Sequence, residues 1–324
     1  MRLIELFVTE KISLTNLKNP LKREIEETIL YCLHQIYYRE SKLDPKIKAH
    51  ADKNSTLKQV NAFIKPLLDK QLTLVVAAAL TELLKGITEV DVAVKFADIT
   101  ASGHASGRTI VLNTKYTDDI CKVTMGSLYD VALDSVENEN DLVSVLFLTY
   151  KKADMYMFAR SNLNTIIDNL ISVIIHEMVH VVQHDKQYKA GRSTTEYRSY
   201  LDKGKDKTKF YNSLRKLSAG DHTAADYKLY RGSPQEIAAF AQEAALKFIN
   251  DIDMDNLADI NDLRKDLPNE MRMYIESLFN NPTNQTEHKV FKRFHKLMYQ
   301  EVDRYMDAIE KKRKREARSN KPKN

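Results

Sequence analysis

The stretch NLNTIIDNLISVIIHEMVHVVQHDK, residues 162–186, decides how the rest of this chain is interpreted. Its apolar residues recur at helical spacing, which predicts a helix through 163–187, capped by Asn162 or Asn164. Inside it, the segment His176-Glu177-Met178-Val179-His180 places two imidazoles one turn apart, where both can bind one metal ion. Glu177 lies about 100° round the same helix, within reach of a water on that metal.

The HEMVH segment also permits two non-catalytic interpretations. Its histidines are core residues bonded to backbone while Glu177 faces solvent, or they bind a purely structural metal. A structural site has no use for Glu177. Burying two histidines and a glutamate among apolar neighbours without a partner costs several kcal/mol, and a bound metal removes that cost. The segment therefore favours a metal site.

A catalytic zinc typically has three protein ligands. In one known pattern a third histidine stands ten residues after His176, but here that position is Lys186, and Gln183 replaces the glycine that allows the turn. His184 on the same helix would stretch three ligands along about 12 Å, too far for bonds of about 2.0–2.1 Å. A ligand from another segment is therefore expected.

The segment YRGSPQEIAAFA, residues 230–241, provides the best candidate for the third ligand. Ser233 as N-cap and Pro234 at the first position predict a helix over 233–250, with Glu236 in its first turn. Glu243 lies on the same face and is the reserve ligand. The alternative role of Glu236 is a favourable charge at the helix N-terminus. Small residues would let this helix approach the HEMVH helix closely: Ala238, Ala239, Ala241, Ala244 and Ala245.

Composition favours long helices, because only 8 glycines and 7 prolines occur in 324 residues of which 43% are hydrophobic. Helical patterns cover 21–41 after Pro20, 57–85 with a kink at Pro66 and an end at Gly86, 268–279 and 287–316. Residues 139–160 are mixed or helical. Alternation predicts strands at 90–96 and 109–113, joined as a β-hairpin, and a weaker strand at 120–125.

These elements predict an α+β, mostly helical fold with a small sheet and additional N- and C-terminal helices. The predicted divisions are an N-terminal helical region over 1–86, a core over 87–252, a C-terminal helical region over 253–310 and a disordered tail over 311–324.

Charge separates that tail from the rest of the chain. Residues 311–324 contain eight Lys or Arg and one Glu, a net of +7, whereas the formal charge of the whole chain is +5. The remaining residues are therefore nearly neutral, and the tail is the place where a weak nucleic-acid contact is expected. A solvated end without a partner is the alternative.

The location expected from the sequence is a soluble protein in the cytoplasm of a bacterial or infected host cell. Cys32 and Cys121 are too few and too far apart for a disulfide framework, and are expected to be buried free thiols. The first residues lack the pattern of a secretory signal, and the longest apolar runs do not predict a membrane span.

The motif His176-Glu177-xx-His180, followed about sixty residues later by Ser233-Pro234-x-Glu236-xx-Ala239, resembles zinc metallopeptidases of the glutamate-ligand branch, the gluzincins. The form is similar to compact metallopeptidases that bacteriophages and bacteria encode, and the resemblance covers roughly 90–250. It implies Zn²⁺ on His176, His180 and Glu236, with Glu177 as the base. It also implies a zincin-like fold, in which the active-site helix lies under a small sheet. The strand 109–113 would then be the sheet edge that binds a protein or peptide substrate.

The resemblance leaves two roles without an assigned residue. Many gluzincins place an Asp three or four residues after the ligand Glu to orient the first histidine, but here those positions are Ala239 and Phe240. The candidates for that orienting role are Asp168, Asp185 and Glu243. The candidates for stabilising the oxyanion are Tyr188, Tyr197, His222 and Tyr230, of which Tyr230 and His222 are preferred.

Two other functions stay open at this point. One is a metal-dependent hydrolase that acts on a non-peptide bond. The other is a nucleic-acid or protein interaction module, docked through residues 311–324, in which the metal is incidental.

Overall fold

The computed structural model describes residues 17–37, 57–88, 90–134, 161–189, 212–213, 215–217, 219, 221–251 and 285–319. Among these residues the protein is mostly helical and contains one small three-stranded mixed sheet. The α+β, mostly helical class expected from the sequence is therefore confirmed. The elements in chain order are α1 Lys18–Tyr37, α2 Leu57–Thr88, β1 Ala93–Ala97, β2 Gly103–Ser106, β3 Thr109–Asn113, α3 Lys115–Asp134, α4 Ser161–Lys189, α5 Ala224–Arg231, α6 Pro234–Asp251 and α7 Gln285–Ser319.

The chain forms two compact units. One unit is Asn19–Ile174, and the other combines Met1–Lys18 with Ile175–Asn324. The division falls inside α4, just before the HEMVH segment. The divisions predicted at residues 86, 252 and 310 stay predictions.

The sheet has the order β1-β3-β2, and its pairing differs from the predicted hairpin. β1 and β3 run parallel, with Ala93 opposite Thr109, whereas β2 pairs antiparallel with β3, with Ser106 opposite Thr109. The hairpin expected between 90–96 and 109–113 is therefore wrong. The true hairpin is β2–β3, and it turns through Gly107, whose positive φ of 60° suits a residue without a Cβ.

The strand Thr109–Asn113 is the centre of this sheet, so the expectation that it is an exposed edge is also wrong. Its backbone pairs with β1 on one side and with β2 on the other. The outer side of β1 is partly covered, because Thr81 Oγ1 on α2 accepts a hydrogen bond from the Val94 N–H at 2.9 Å.

The weak strand predicted over 120–125 is wrong, because these residues lie inside α3. Asn113 Oδ1 accepts from the Lys115 N–H at 2.8 Å and helps to start that helix. The period of the buried positions is helical rather than alternating, which is why the β-branched residues here do not form a strand. The buried positions are Thr117, Ile120, Cys121, Thr124 and Met125.

The predicted helices are largely present, with shifted ends. α1 has Pro20 in its first turn, and α2 contains Pro66 and continues past Gly86 to Thr88. α4 begins at Ser161, so Asn162 and Asn164 lie inside its first turn instead of capping it. The mixed segment 139–160 and the helix 268–279 lie outside the described residues.

The predicted disordered tail is helical as far as α7 reaches. α7 ends at Ser319, and residues 311–319 contain Lys, Arg, Glu and Ala but no Gly or Pro. Such residues favour a helix even where packing contributes little.

Both cysteines are buried free thiols, as expected from the sequence. Burial raises the pKa of Cys32 and of Cys121 to about 12, so both remain protonated and unreactive at neutral pH.

One helix among the described residues, Asn162–Lys186, is long and apolar enough to cross a membrane. Most of its apolar window is buried within the protein, as in the core helix of a soluble protein. The soluble character expected from the sequence is therefore supported.

The core of the second unit lies between α6 and α7. Its centre is Phe294 of α7, which is fully buried. Four of the five alanines of α6 pack in this core, whereas Ala239, also buried, lies on the face that carries Glu236 and Glu243. The buried members of the core are Ile237, Ala241, Ala244, Ala245, Ile249, Val290, Phe294, Leu297, Met298, Tyr299 and Val302.

Two leucines of α2 test the burial pattern. Leu72 is fully buried, whereas Leu74 is 63% exposed. We expect Leu72→Ala to lower the free energy of unfolding by about 2–5 kcal/mol, because it removes buried methyl groups and leaves a cavity. Leu74→Ala is the matched control and should change it by less than about 0.5 kcal/mol. Urea unfolding followed by circular dichroism measures both, and equal effects would contradict the described core.

Candidate metal centre

The HEMVH segment brings two imidazole nitrogens together on one face of α4. His176 Nε2 and His180 Nε2 are 3.3 Å apart, and the ring centroids are 5.1 Å apart in an edge arrangement. His176 is buried and His180 is half-buried. The one-turn spacing seen in the sequence therefore gives two nitrogens that face the same point.

The first turn of α6 brings a carboxylate to the same point. Ser233 Oγ accepts from the Glu236 N–H at 3.3 Å, so Ser233 caps the helix as predicted. Glu236 Oε2 is 3.3 Å from His176 Nε2, and Glu236 Oε1 is 3.2 Å from His180 Nε2. His176, His180 and Glu236 form a group that can hold a metal ion.

These distances fit one metal ion. Bonds of about 2.0–2.1 Å in a tetrahedral site place neighbouring ligand atoms about 3.3–3.4 Å apart, close to the separations of these nitrogens and oxygens. Glu236 Oε2 is buried and has no hydrogen-bond partner among the described residues, although it lies beside His176 Nε2. A cation between the three groups would satisfy this oxygen.

Charge in the cluster also favours a cation. Burial opposes protonation of His176, but the Glu236 and Glu243 carboxylates outweigh it and raise its pKa to about 10. Burial likewise opposes protonation of His180, but the Glu236 carboxylate outweighs this effect and raises the pKa of His180. Burial alone would raise the pKa of Glu236, but His180 and His176 hold it below the usual value. The group therefore attracts positive charge, as a proton or as a metal.

The second nitrogen of His176 faces a different carboxylate. Glu243 Oε2 is 3.6 Å from His176 Nδ1, and Glu243 Oε1 accepts from Lys247 Nζ at 2.9 Å. Glu243 was expected either as the reserve ligand or as an orienting residue. Its position at Nδ1, outside the group of three, corresponds to the orienting role.

The other two candidates for that role lie elsewhere. Asp185 is buried and pairs with Lys189 at 2.6 Å. Asp168 lies near Glu26 of α1, whose pKa is raised mainly by burial and further by Asp168.

The second nitrogen of His180 faces Gln183, a partner that was not anticipated from the sequence. His180 Nδ1 is 3.4 Å from Gln183 Oε1, and Gln183 is buried. The signal was available in the sequence, since a glutamine three residues after a helical histidine lies on the same face.

Glu177 is buried beside the group of three. Its carboxylate is close enough to help raise the pKa values of His176, His180 and Tyr230. Only 6% of Glu177 is exposed, so the interpretation in which it faces solvent is wrong.

Tyr230 lies on the short helix α5, whose N-terminus is capped. Thr223 and Asp226 form a capping box, in which Asp226 Oδ2 accepts from the Thr223 N–H at 3.0 Å. One turn later, Tyr230 is within hydrogen-bonding reach of Glu236. Burial, and then Glu236, raise the pKa of Tyr230 well above 10, so its hydroxyl stays protonated and can donate.

The remaining candidates are not in the group of three. His222 is exposed, with its ring 6.0 Å from that of Tyr227. His184 is half-buried further along α4, which agrees with the axial distance that disfavours it as a ligand. Tyr188 is 68% exposed, and Tyr197 lies outside the described residues.

No protein-family model, curated protein or solved structure significantly matches this chain. The function must therefore be inferred from the chemistry of the site itself.

Metal binding distinguishes the three proposed ligands from the nearby histidines. We expect the wild-type protein to bind one equivalent of Zn²⁺, and His180→Ala or Glu236→Ala to weaken binding by more than about 100-fold, because each removes a ligand. His184→Ala and His222→Ala are the matched controls and should retain it. Competition with a chelating dye measures the affinity, and an equal loss in His184→Ala would contradict the ligand set.

Proposed function

We propose that this protein is a zinc metallopeptidase of the gluzincin type that acts on protein or peptide substrates in the cytoplasm. The observation that carries the proposal is the convergence of His176, His180 and Glu236 at separations of 3.2–3.3 Å, beside buried Glu177. A site built only to bind a structural metal would have no use for an additional, uncoordinated carboxylate beside the three ligands.

The proposed chemistry divides among these residues. His176, His180 and Glu236 would hold Zn²⁺, which when bound lowers the pKa of water and polarises a carbonyl. Glu177 accepts a proton from the attacking water and delivers it to the leaving amine as the C–N bond breaks. The carboxylate returns to its ionised form at the end of the cycle.

Tyr230 is suited to stabilise the oxyanion that develops on the carbonyl oxygen. Its hydroxyl stays protonated and is within hydrogen-bonding reach of Glu236, so it lies close to the proposed metal position. A positioned donor of this kind stabilises charge in the transition state more than in the substrate. Exposed His222 is not assigned this role.

The first test of this function is Glu177→Gln. We expect hydrolysis of a peptide library to fall by about 100- to 10,000-fold, because the amide cannot accept the proton. Bound zinc should remain near one equivalent, since Glu177 is not a ligand. Exposed Glu27, on α1, provides the matched control Glu27→Gln, which should keep wild-type activity.

Mass spectrometry of the digested library measures activity, and elemental analysis measures zinc. Undiminished hydrolysis in Glu177→Gln would contradict the proposed mechanism. A zinc-loaded wild-type protein that cleaves no peptide would contradict the substrate class and favour the non-peptide hydrolase.

The second test is Tyr230→Phe, which removes one hydroxyl. We expect kcat to fall by about 100- to 1,000-fold with KM nearly unchanged, because the hydroxyl acts mainly in the transition state. Tyr227→Phe, on the same short helix, is the control and should leave both constants unchanged. Steady-state kinetics on a cleaved library peptide measure kcat and KM. A change confined to KM would assign Tyr230 to substrate binding instead.

A further inference from the structure

The imidazole of His176 lies between two carboxylates of a single helix. Glu236 is 3.3 Å from Nε2, and Glu243 is 3.6 Å from Nδ1. They are seven positions apart in the sequence, so they share one face of α6 about 10.5 Å apart along the axis. The ring therefore spans two turns of α6, with one nitrogen directed to each of the two carboxylates.

The two nitrogens have different surroundings. Nε2 also lies 3.3 Å from His180 Nε2, whereas Nδ1 faces Glu243 and, beyond it, the partner Lys247. A neutral imidazole carries its proton on only one nitrogen. A carboxylate at Nδ1 favours the tautomer with the proton there, which leaves the Nε2 lone pair for a metal.

The position that the gluzincin resemblance reserves for an orienting Asp is filled differently here. Phe240 stands four residues after Glu236, and its ring packs against the edge of His176 at 4.7 Å between centroids. The Phe240 ring is also engaged by Arg231, whose guanidinium carbon is 4.5 Å from its centroid. Phe240 confines the imidazole but cannot accept a hydrogen bond from Nδ1.

Lys247 holds Glu243 in place. Its Nζ donates to Glu243 Oε1 at 2.9 Å, and this leaves Glu243 Oε2 directed to His176. A Glu four residues before a Lys is the favourable order for such a pair on a helix. Glu243 is 22% exposed and Lys247 46% exposed in their side chains, so the pair connects the buried ring to the surface.

We propose that Glu243, held by Lys247, is the positioning residue that fixes the His176 imidazole with Nε2 toward the metal. It performs this role one turn further along α6 than the resemblance predicts, and Phe240 provides the apolar wall beside the ring. The inference rests on the metal site of the proposed function, but it does not depend on the substrate.

The test measures zinc affinity by competition with a chelating dye, without substrate. We expect Glu243→Gln to weaken binding by about 10- to 100-fold, as for other partners of metal-bound histidines. Lys247→Met should weaken it by a smaller factor, because Glu243 remains but loses its anchor. Glu27→Gln, in the exposed Arg23–Glu27 pair of α1, is the matched control and should change affinity less than about twofold.

A second measurement separates positioning from a general loss of structure. In the zinc-loaded wild-type protein, the His176 Nδ1 proton should give a downfield NMR signal that exchanges slowly with water, and Glu243→Gln should shift or remove it. The His180 Nδ1 proton, next to Gln183, should keep its signal in that variant. Loss of both signals would indicate a general loss of structure and overturn the assignment.

The outcomes distinguish this inference from the proposed function. If zinc affinity in Glu243→Gln stays within about twofold of wild type, the positioning role is wrong and the peptidase proposal stands. If affinity falls as expected but no peptide is cleaved, the positioning role stands and the substrate class is wrong. If the wild-type protein binds no zinc, both are wrong.

Discussion

An ionised carboxylate buried against two imidazoles is the constraint around which this site is built. Removing Glu236 from water costs several kcal/mol unless a positive charge compensates it. The nearest compensating groups are the Nε2 atoms of His176 and His180, at 3.3 and 3.2 Å. A proton shared with these rings would supply the charge in part, and a metal ion would supply it in full. The two helices that carry these residues, α4 and α6, hold the carboxylate and the imidazoles together.

Helix α6 does more than deliver one ligand. Because α6 begins at Ser233 and Pro234, Glu236 lies in its first turn. The helical period then places Glu243 on the same face two turns later. Its alanine-rich side packs with α7 around Phe294. The helix thus joins the core of its unit to both nitrogens of His176. Burial on one side therefore limits how far the carboxylates on the other side can move.

The helices could be anticipated from the sequence, but the sheet could not. Apolar residues at helical spacing depend on neighbours three and four residues away, so α1, α2, α4 and α6 were found with small errors at their ends. Strand order depends on pairing between distant segments. The alternation at 109–113 identified a strand, yet it could not show that β1 and β2 would pair on both of its sides. Residues 120–125 contain β-branched side chains, but their burial follows the helical period of α3.

By itself, the sequence determined that His176 and His180 share one face of a helix, because two residues four positions apart on a helix always do. It also nominated Glu236 and Glu243, which periodicity alone cannot tell apart, since seven residues are nearly two full turns. Only the tertiary structure decided that Glu236 faces Nε2 of His176 and Glu243 faces Nδ1. The physical reason is that this choice depends on the displacement of α6 along α4. Packing between segments about sixty residues apart sets that displacement, and no local pattern encodes it.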